Sequence, residues 1–167
     1  MSKPFSIILI GMPGSGKSTI GQLLAKQLAF EFIDPDKYIE EKEQMSLQEI
    51  LDKKGINEFI KIEQDRILEL LPLKNYIIAP GGSVIYSNEV MEAVQKSSVI
   101  IFLDVPLKNL HARLKNKETR GIVGLKKVSI KKLYEERVPL YKKYADIIIF
   151  CAEKSPKKIV NEIIQKL

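Results

Sequence analysis

Eight residues constrain this chain more than any others. Gly11-Met12-Pro13-Gly14-Ser15-Gly16-Lys17-Ser18 fits the pattern GxxxxGK[ST] and stands between the apolar run Phe5-Ser6-Ile7-Ile8-Leu9-Ile10 and an amphipathic stretch from Thr19 to Ala29. Glycines at those places let the backbone curl tightly, so successive amide hydrogens turn inward around phosphate oxygens. A following helix adds its unpaired first amides and its dipole. Lys17 then reaches between β- and γ-phosphates, and the Ser18 hydroxyl suits magnesium. Gly11, Gly14, Ser15, Gly16, Lys17, Ser18 and Thr19 are therefore the candidate nucleotide cradle. The segment predicts a strand, a phosphate loop and a helix that together hold a nucleoside triphosphate.

The rest of the chain repeats that alternation. Short apolar runs at Phe5–Ile10, Phe30–Ile33, Tyr76–Ala79, Val99–Leu103 and Ile147–Phe150 read as strands, the first and fourth apolar enough to be covered on both faces. The intervals are long enough for the crossover helices that parallel strands need. Ile20, Leu23, Leu24 and Leu28 form one apolar stripe. Ser46-Leu47-Gln48-Glu49 reads as a capping box, a longer helix runs from about Asn57 to Leu71, and another from Pro106 to Leu114. Ser155-Pro156 opens a final helix carrying Ile159, Val160, Ile163, Ile164 and Leu167. The expected fold is an α/β open sheet with helices on both faces, its ligands beyond the carboxyl ends of the strands. A length of 167 residues with no linker or repeat fits one domain.

Two further groups fall at that edge. Asp34-Pro35-Asp36 follows the second strand, and spacing two in extended backbone puts both carboxylates on one side. One is suited to a magnesium-bound water and the other to orienting a substrate hydroxyl; the plainer reading is a turn with a helix cap at Asp36. Asp104 closes Val99–Leu103 and competes for the metal, or caps the next helix. Pro80-Gly81-Gly82-Ser83 follows the third strand, where adjacent glycines admit a ligand close to backbone. Only four arginines occur among 27 basic residues, and Arg113, Arg120 and Arg137 lie in or beside the polar stretch 115–127, which reads as a surface flap. A planar fork for phosphate or carboxylate explains their use over lysine; Arg66 sits on a polar helix face.

Composition removes other classes. One cysteine, Cys151, excludes a disulfide framework and any CxxC metal site, and one histidine, His111, excludes a histidine cluster. Cys151 is expected to be a buried thiol. A net charge of +6 is too small to argue for nucleic acid, and Lys126-Lys127 and Lys131-Lys132 read as a solvated helix face. The first apolar run is too short to span a bilayer and no cleavage pattern follows it, so the expected place is the cytoplasm, with no membrane partner. No Asn-Lys-x-Asp segment is present to read guanine. What remains is a small kinase with a lid that excludes water.

Taken together these motifs resemble the shikimate kinases over roughly residues 7 to 150. Gly11–Thr19 with Gly21 and Leu24-Ala25, Phe32-Ile33-Asp34-Pro35-Asp36 with Ile39-Glu40, Gly81-Gly82, and Arg137-x-Pro139-Leu140-Tyr141 with Ala145-Asp146 carry the likeness. The resemblance implies a three-layer α/β/α fold on a five-stranded parallel sheet of order 2-3-1-4-5, a substrate-binding helical segment at 34–72, a lid at 115–127, and a monomer that closes on binding. It implies transfer of the γ-phosphoryl of ATP, with Mg²⁺, to the 3-hydroxyl of shikimate in aromatic amino-acid biosynthesis. Lys17 contacts phosphates, Ser18 and Asp34 support the metal, and Asp36 holds the substrate hydroxyls as candidate base. Gly81 and Gly82 line the substrate pocket, with the Ser83 hydroxyl near the substrate. Arg113 lies against adenine, Arg120 swings in from the lid, and Arg137 clamps the substrate carboxylate. One departure concerns the acceptor: the family pairs phenylalanine with an arginine that reaches that carboxylate, and here the pair reads Phe59-Ile60. A relative acting on another small hydroxylated metabolite, a nucleotide kinase and a non-catalytic ATP-binding protein of the same fold are the alternatives.

Overall fold

The structure is a computed structural model that describes residues 5–114 and 129–167. The element order is β1 (Ser6–Ile10), α1 (Lys17–Leu28), β2 (Glu31–Ile33), α2 (Pro35–Glu43), α3 (Leu47–Leu70), β3 (Tyr76–Ile78), a 3-10 turn (Val84–Tyr86), α4 (Asn88–Ser97), β4 (Ser98–Asp104), α5 (Leu107–Leu114), α6 (Ile130–Tyr144), β5 (Ile147–Phe150) and α7 (Pro156–Lys166). All strand pairings are parallel, in the order β2-β3-β1-β4-β5. That is the expected α/β/α architecture. All five residues of the central strand β1 are buried, which is why its sequence is an unbroken apolar run rather than an alternation. The chain leaves β1 toward β2 on one side and later crosses to β4 on the other, so the loop after β1 sits where strand order reverses.

Helices α1 and α7 cover one face, and α4 and α6 pack on the other. On α1 the buried residues are Ile20, Gly21, Leu24 and Ala25, whereas Leu23 is 40% exposed. The stripe is thus narrower than expected and shifted to small residues, because α1 lies tight on the sheet. On α7, Ile159, Val160 and Ile163 are buried and Ile164 and Leu167 are exposed. Cys151 is buried, and burial pushes its thiol up to about 12. Asp146 pins the entry to β5: its carboxylate accepts from Ile100 N at 2.8 Å and its own N donates to Ile100 O at 2.9 Å.

Helices α2, α3, α4, α6 and α7 are each capped by a side chain, at Asp34, Ser46, Ser87, Ser129 and Ser155. Each such bond stabilises its helix by about 1 kcal/mol. The cap of α2 is Asp34, not Asp36, because Pro35 takes the first helical position and leaves the Asp36 amide as the donor. Asp104 caps nothing: α5 begins only at Leu107, and the Asp104 carboxylate pairs with Lys142 at 3.8 Å. The two helices expected on either side of residue 55 are both present as the limbs of α3, which kinks at Gly55, where φ 80° and ψ 170° leave the helical region. Ile39, Ile50, Phe59 and Ile62 form a small apolar cluster separate from the main core, joining α2 to α3. The expected lid at 115–127, with Arg120, lies outside the described residues, and among those described no helix is long and apolar enough to cross a membrane.

Candidate active site

A cleft of about 270 Å³ opens at the carboxyl ends of the strands. The phosphate loop forms one wall. Gly16 holds the N-cap of α1 at φ 90°, a left-handed conformation that favours glycine, and it provides no side-chain cap. The first turn of α1 therefore keeps its amides for a ligand, and Gly14, Gly16, Lys17, Ser18 and Thr19 all line the cleft. The Lys17 ammonium arches back over the loop, donating to Gly11 O at 2.9 Å and Met12 O at 3.0 Å. Burial lowers its pKa to about 8, against the pull of Asp36. Gly11 and Ser15 lie beneath the loop instead of on the cleft wall. A Cβ on Gly11 would stand 3.0 Å from Leu103 O, while the buried Ser15 hydroxyl has no partner among the described residues. Arg113, exposed at the end of α5, braces the loop by donating to Gly14 O at 3.0 Å.

The opposite wall gathers side chains from separate segments. Asp34 and Asp36 both reach the cleft from the start of α2. One Asp34 oxygen is committed to the α2 cap at 3.0 Å. Asp36 is raised to about 6 by burial first and by the charge of Asp34 second, with Lys17 opposing. Gly81, Gly82 and Ser83 continue the wall after β3, and Arg137 enters from α6. Arg137 is 2% exposed, a burial that demands partners for a permanent charge. Asp104 does not line the cleft.

One wall residue has no counterpart among the sequence expectations. Glu63, 6% exposed on α3, is the most buried carboxyl of the wall, and burial followed by the charge of Asp36 raises it to about 7. Ser83 Oγ donates to Glu63 Oε2 at 3.1 Å, so that hydroxyl faces Glu63. A Cβ on Gly81 would meet Glu63 Oε1 at 3.0 Å. The signal was faint: a glutamate one turn after Phe59, on the side that carries Ile62 and Ile67. Ile60, 37% exposed, does not line this cleft, and Lys61 is exposed too.

The cleft thus places an anion cradle with a lysine against three carboxyl groups and a guanidinium. Its oxygen donors, Ser18 and Asp34, are of the hard type that magnesium takes, one or two from protein and the rest from phosphate and water. Among the described residues no cluster of three or more His, Cys, Asp or Glu is arranged as a dedicated metal cage.

Comparison with known proteins points the same way. The family model described as shikimate kinase matches residues 13–167. A shikimate kinase of Persephonella marina is 37% identical over 162 residues, covering 97% of this chain and 98% of that protein. Among solved structures, a shikimate kinase from Acinetobacter baumannii in complex with shikimate superposes with a TM-score of 0.89 at 28% identity, over 99% of this chain and 93% of that one. The shikimate kinase of Aquifex aeolicus gives 0.82 at 33% identity, over 97% and 95%.

Proposed function

The chain belongs to the shikimate kinase family, and on that premise we propose that it transfers the γ-phosphoryl group of ATP to the 3-hydroxyl of shikimate. The observation that carries the reading is the meeting, in one cleft, of the loop at Gly14–Thr19 with Asp36 and Arg137 on the facing wall. The loop amides and Lys17 hold the phosphates. Asp36 accepts a hydrogen bond from the attacking hydroxyl and takes its proton as the new phosphorus–oxygen bond forms. The bond from the γ-phosphorus to the bridging oxygen breaks, and ADP leaves. Such transfers need little covalent help from protein, so positioning and charge neutralisation do most of the work. Lys17 supplies positive charge where the phosphoryl moves, and the family likeness gives Arg120 a share in that role.

Magnesium, when bound, would neutralise phosphate charge, and the Ser18 hydroxyl and the Asp34 carboxylate would hold it and its waters. Gly81 and Gly82 let the acceptor ring approach backbone, Glu63 accepts from its hydroxyls, and Arg137 forks its carboxylate. Arg113 at the cradle edge faces the adenine. The family likeness supports a monomer working in the cytoplasm, in aromatic amino-acid biosynthesis.

The test is ADP formation from ATP and Mg²⁺ with and without shikimate. A shikimate-dependent kcat of about 1–100 s⁻¹ is expected. No shikimate-dependent ADP at millimolar concentration would overturn the acceptor. Ile60 favours one second reading, a small hydroxylated metabolite whose carboxylate is absent or placed elsewhere, because among the described residues Arg137 is the single guanidinium lining the cleft. Faster turnover of such a compound than of shikimate would establish it.

A further inference from the structure

A guanidinium works as a carboxylate fork only if its plane is held, and arginine has a long rotatable stem. In this cleft two tyrosines hold it. Tyr141, one turn further along α6 and fully buried, hydrogen-bonds Arg137 and donates its hydroxyl to Gly82 O at 2.6 Å. Tyr86 comes from the other side, out of the 3-10 turn. Its ring centroid lies 5.3 Å from Arg137 Cζ, and its hydroxyl oxygen accepts from Arg137 Nε at 3.2 Å. The same hydroxyl donates to Glu136 on α6, so the ring cannot turn away without giving up both bonds. Tyr86 itself is 42% exposed and does not line the cleft. An aromatic ring left that open on a short turn is explained by what it covers.

We propose that Tyr86 is a positioning residue for the acceptor: with its ring against the Arg137 guanidinium and its hydroxyl on Nε, it fixes the plane in which the guanidinium meets a substrate carboxylate. Nη1 then lies over the glycine loop, where a Cβ on Gly82 would stand 3.0 Å from it. The role matters because, among the described residues, Arg137 is the single guanidinium lining the cleft. It rests on the reading of the acceptor as shikimate, gripped by Arg137.

The experiment compares wild type, Tyr86→Phe and Tyr86→Ala in steady state, with shikimate and with its analogue bearing hydroxymethyl in place of the carboxylate. Thermal melts check that each variant is folded. Tyr86→Phe, which keeps the ring contact and loses the hydroxyl, is expected to raise KM for shikimate about threefold, and Tyr86→Ala about tenfold. kcat and KM for ATP stay within about twofold, and KM for the analogue does not change, because no carboxylate meets the fork. If Tyr86→Ala leaves KM for shikimate unchanged, or raises it equally for shikimate and the analogue, the positioning role is wrong while the acceptor stands. Absence of shikimate-dependent turnover in wild type overturns the acceptor assignment and this role together.

Discussion

The donor wall of the cleft is backbone laid on the main core, whereas the acceptor wall is side chains gathered from α2, α3, the glycine loop and α6. Behind the donor wall stand β1 and α1, with Ile7 and Leu24 fully buried and Ile10 and Ile20 nearly so. Behind much of the acceptor wall stands only the small cluster Ile39, Ile50, Phe59 and Ile62 on a helix bent at Gly55. A phosphate is the same in every nucleotide, so amides fixed by the fold serve it. An acceptor alcohol is particular, and side chains on a lightly anchored segment can be changed without disturbing the core. The difference predicts that the two walls fail separately.

The largest effects test that separation directly. Lys17→Ala is expected to lower kcat about 10³-fold, as removal of a preorganised charge does, and to weaken ATP while leaving acceptor affinity in place. Asp36→Asn is expected to lower kcat about 10²–10³-fold by removing the base, with ATP affinity retained. Calorimetric titration of each variant with ATP and with shikimate reads both halves. Loss of both ligands from either variant would show that the walls are one cooperative unit.

The pH profile sharpens the same contrast, since each wall contributes one limb. Asp36 must be ionised to accept a proton, and its folded pKa is about 6, so kcat/KM falls about tenfold per unit below that value. Lys17 must be charged, and at about 8 in the free enzyme it gives the alkaline limb. Asp34→Asn removes a charge that raises Asp36, so the acidic limb moves to lower pH while the alkaline limb moves little. A profile flat from pH 5 to pH 9 would remove both assignments.

How much of this could be read from sequence follows from the same difference. The donor wall is local: one uninterrupted stretch, Gly11 to Thr19, encodes strand end, loop and helix start, so its fold and its chemistry were legible together. The sheet was legible for the same reason, since each strand is a short apolar run covered by helices. The acceptor wall depends on contacts far apart in the chain. Glu63 meets Ser83 only through packing, and α2 was expected only as a helix after a cap at Asp36 within the segment 34–72, its own bounds hidden because Ile39 is its single buried side chain besides Pro35. Asp34 and Asp36 both line the cleft, but the cap fell to Asp34, which only the helical position of Pro35 decides. Tyr86 gave no signal at all, because its partner lies on α6.

Two glycines separate space from conformation on the two sides. A Cβ on Gly21, in α1, would come within 2.5 Å of Phe32 Cε2 and 2.9 Å of Cδ2. Gly21→Ala is therefore expected to cost about 1–3 kcal/mol of global stability by overpacking, read as a lower urea midpoint, with kinetics of the folded enzyme little changed. Gly55 has nothing within 4 Å of its Cβ position, but φ 80° with ψ 170° strains any other residue. Gly55→Ala is expected to cost about 1–2 kcal/mol through the backbone alone and to raise KM for the acceptor without touching KM for ATP. The reverse kinetic pattern, ATP affected and acceptor spared, would break the assignment of α3 to the acceptor wall.

The smallest effect concerns what holds that bent helix. Glu43, at the end of α2, accepts from Lys54 at 3.1 Å just before the bend and from Arg66 at 3.1 Å beyond it, so one carboxylate ties both limbs of α3. Arg66, expected on a plain polar face, is thus part of an ionic clasp that also takes in Glu69 and, through it, Tyr38. Hydrogen bonds from Lys54 and then Arg66 hold the Glu43 carboxyl below its usual range. Its stabilising effect is full above the ordinary carboxylate pKa and is lost as pH falls through the lowered folded value. All three groups keep contact with water, so the clasp is worth about 1 kcal/mol or less and weakens with salt. Glu43→Gln is expected to lower stability by that amount at low ionic strength and by little at 1 M salt, and to raise acceptor KM modestly as the two limbs loosen. Equal destabilisation at both salt concentrations would mean that Glu43 acts by packing, and that the acceptor wall rests on its apolar cluster alone.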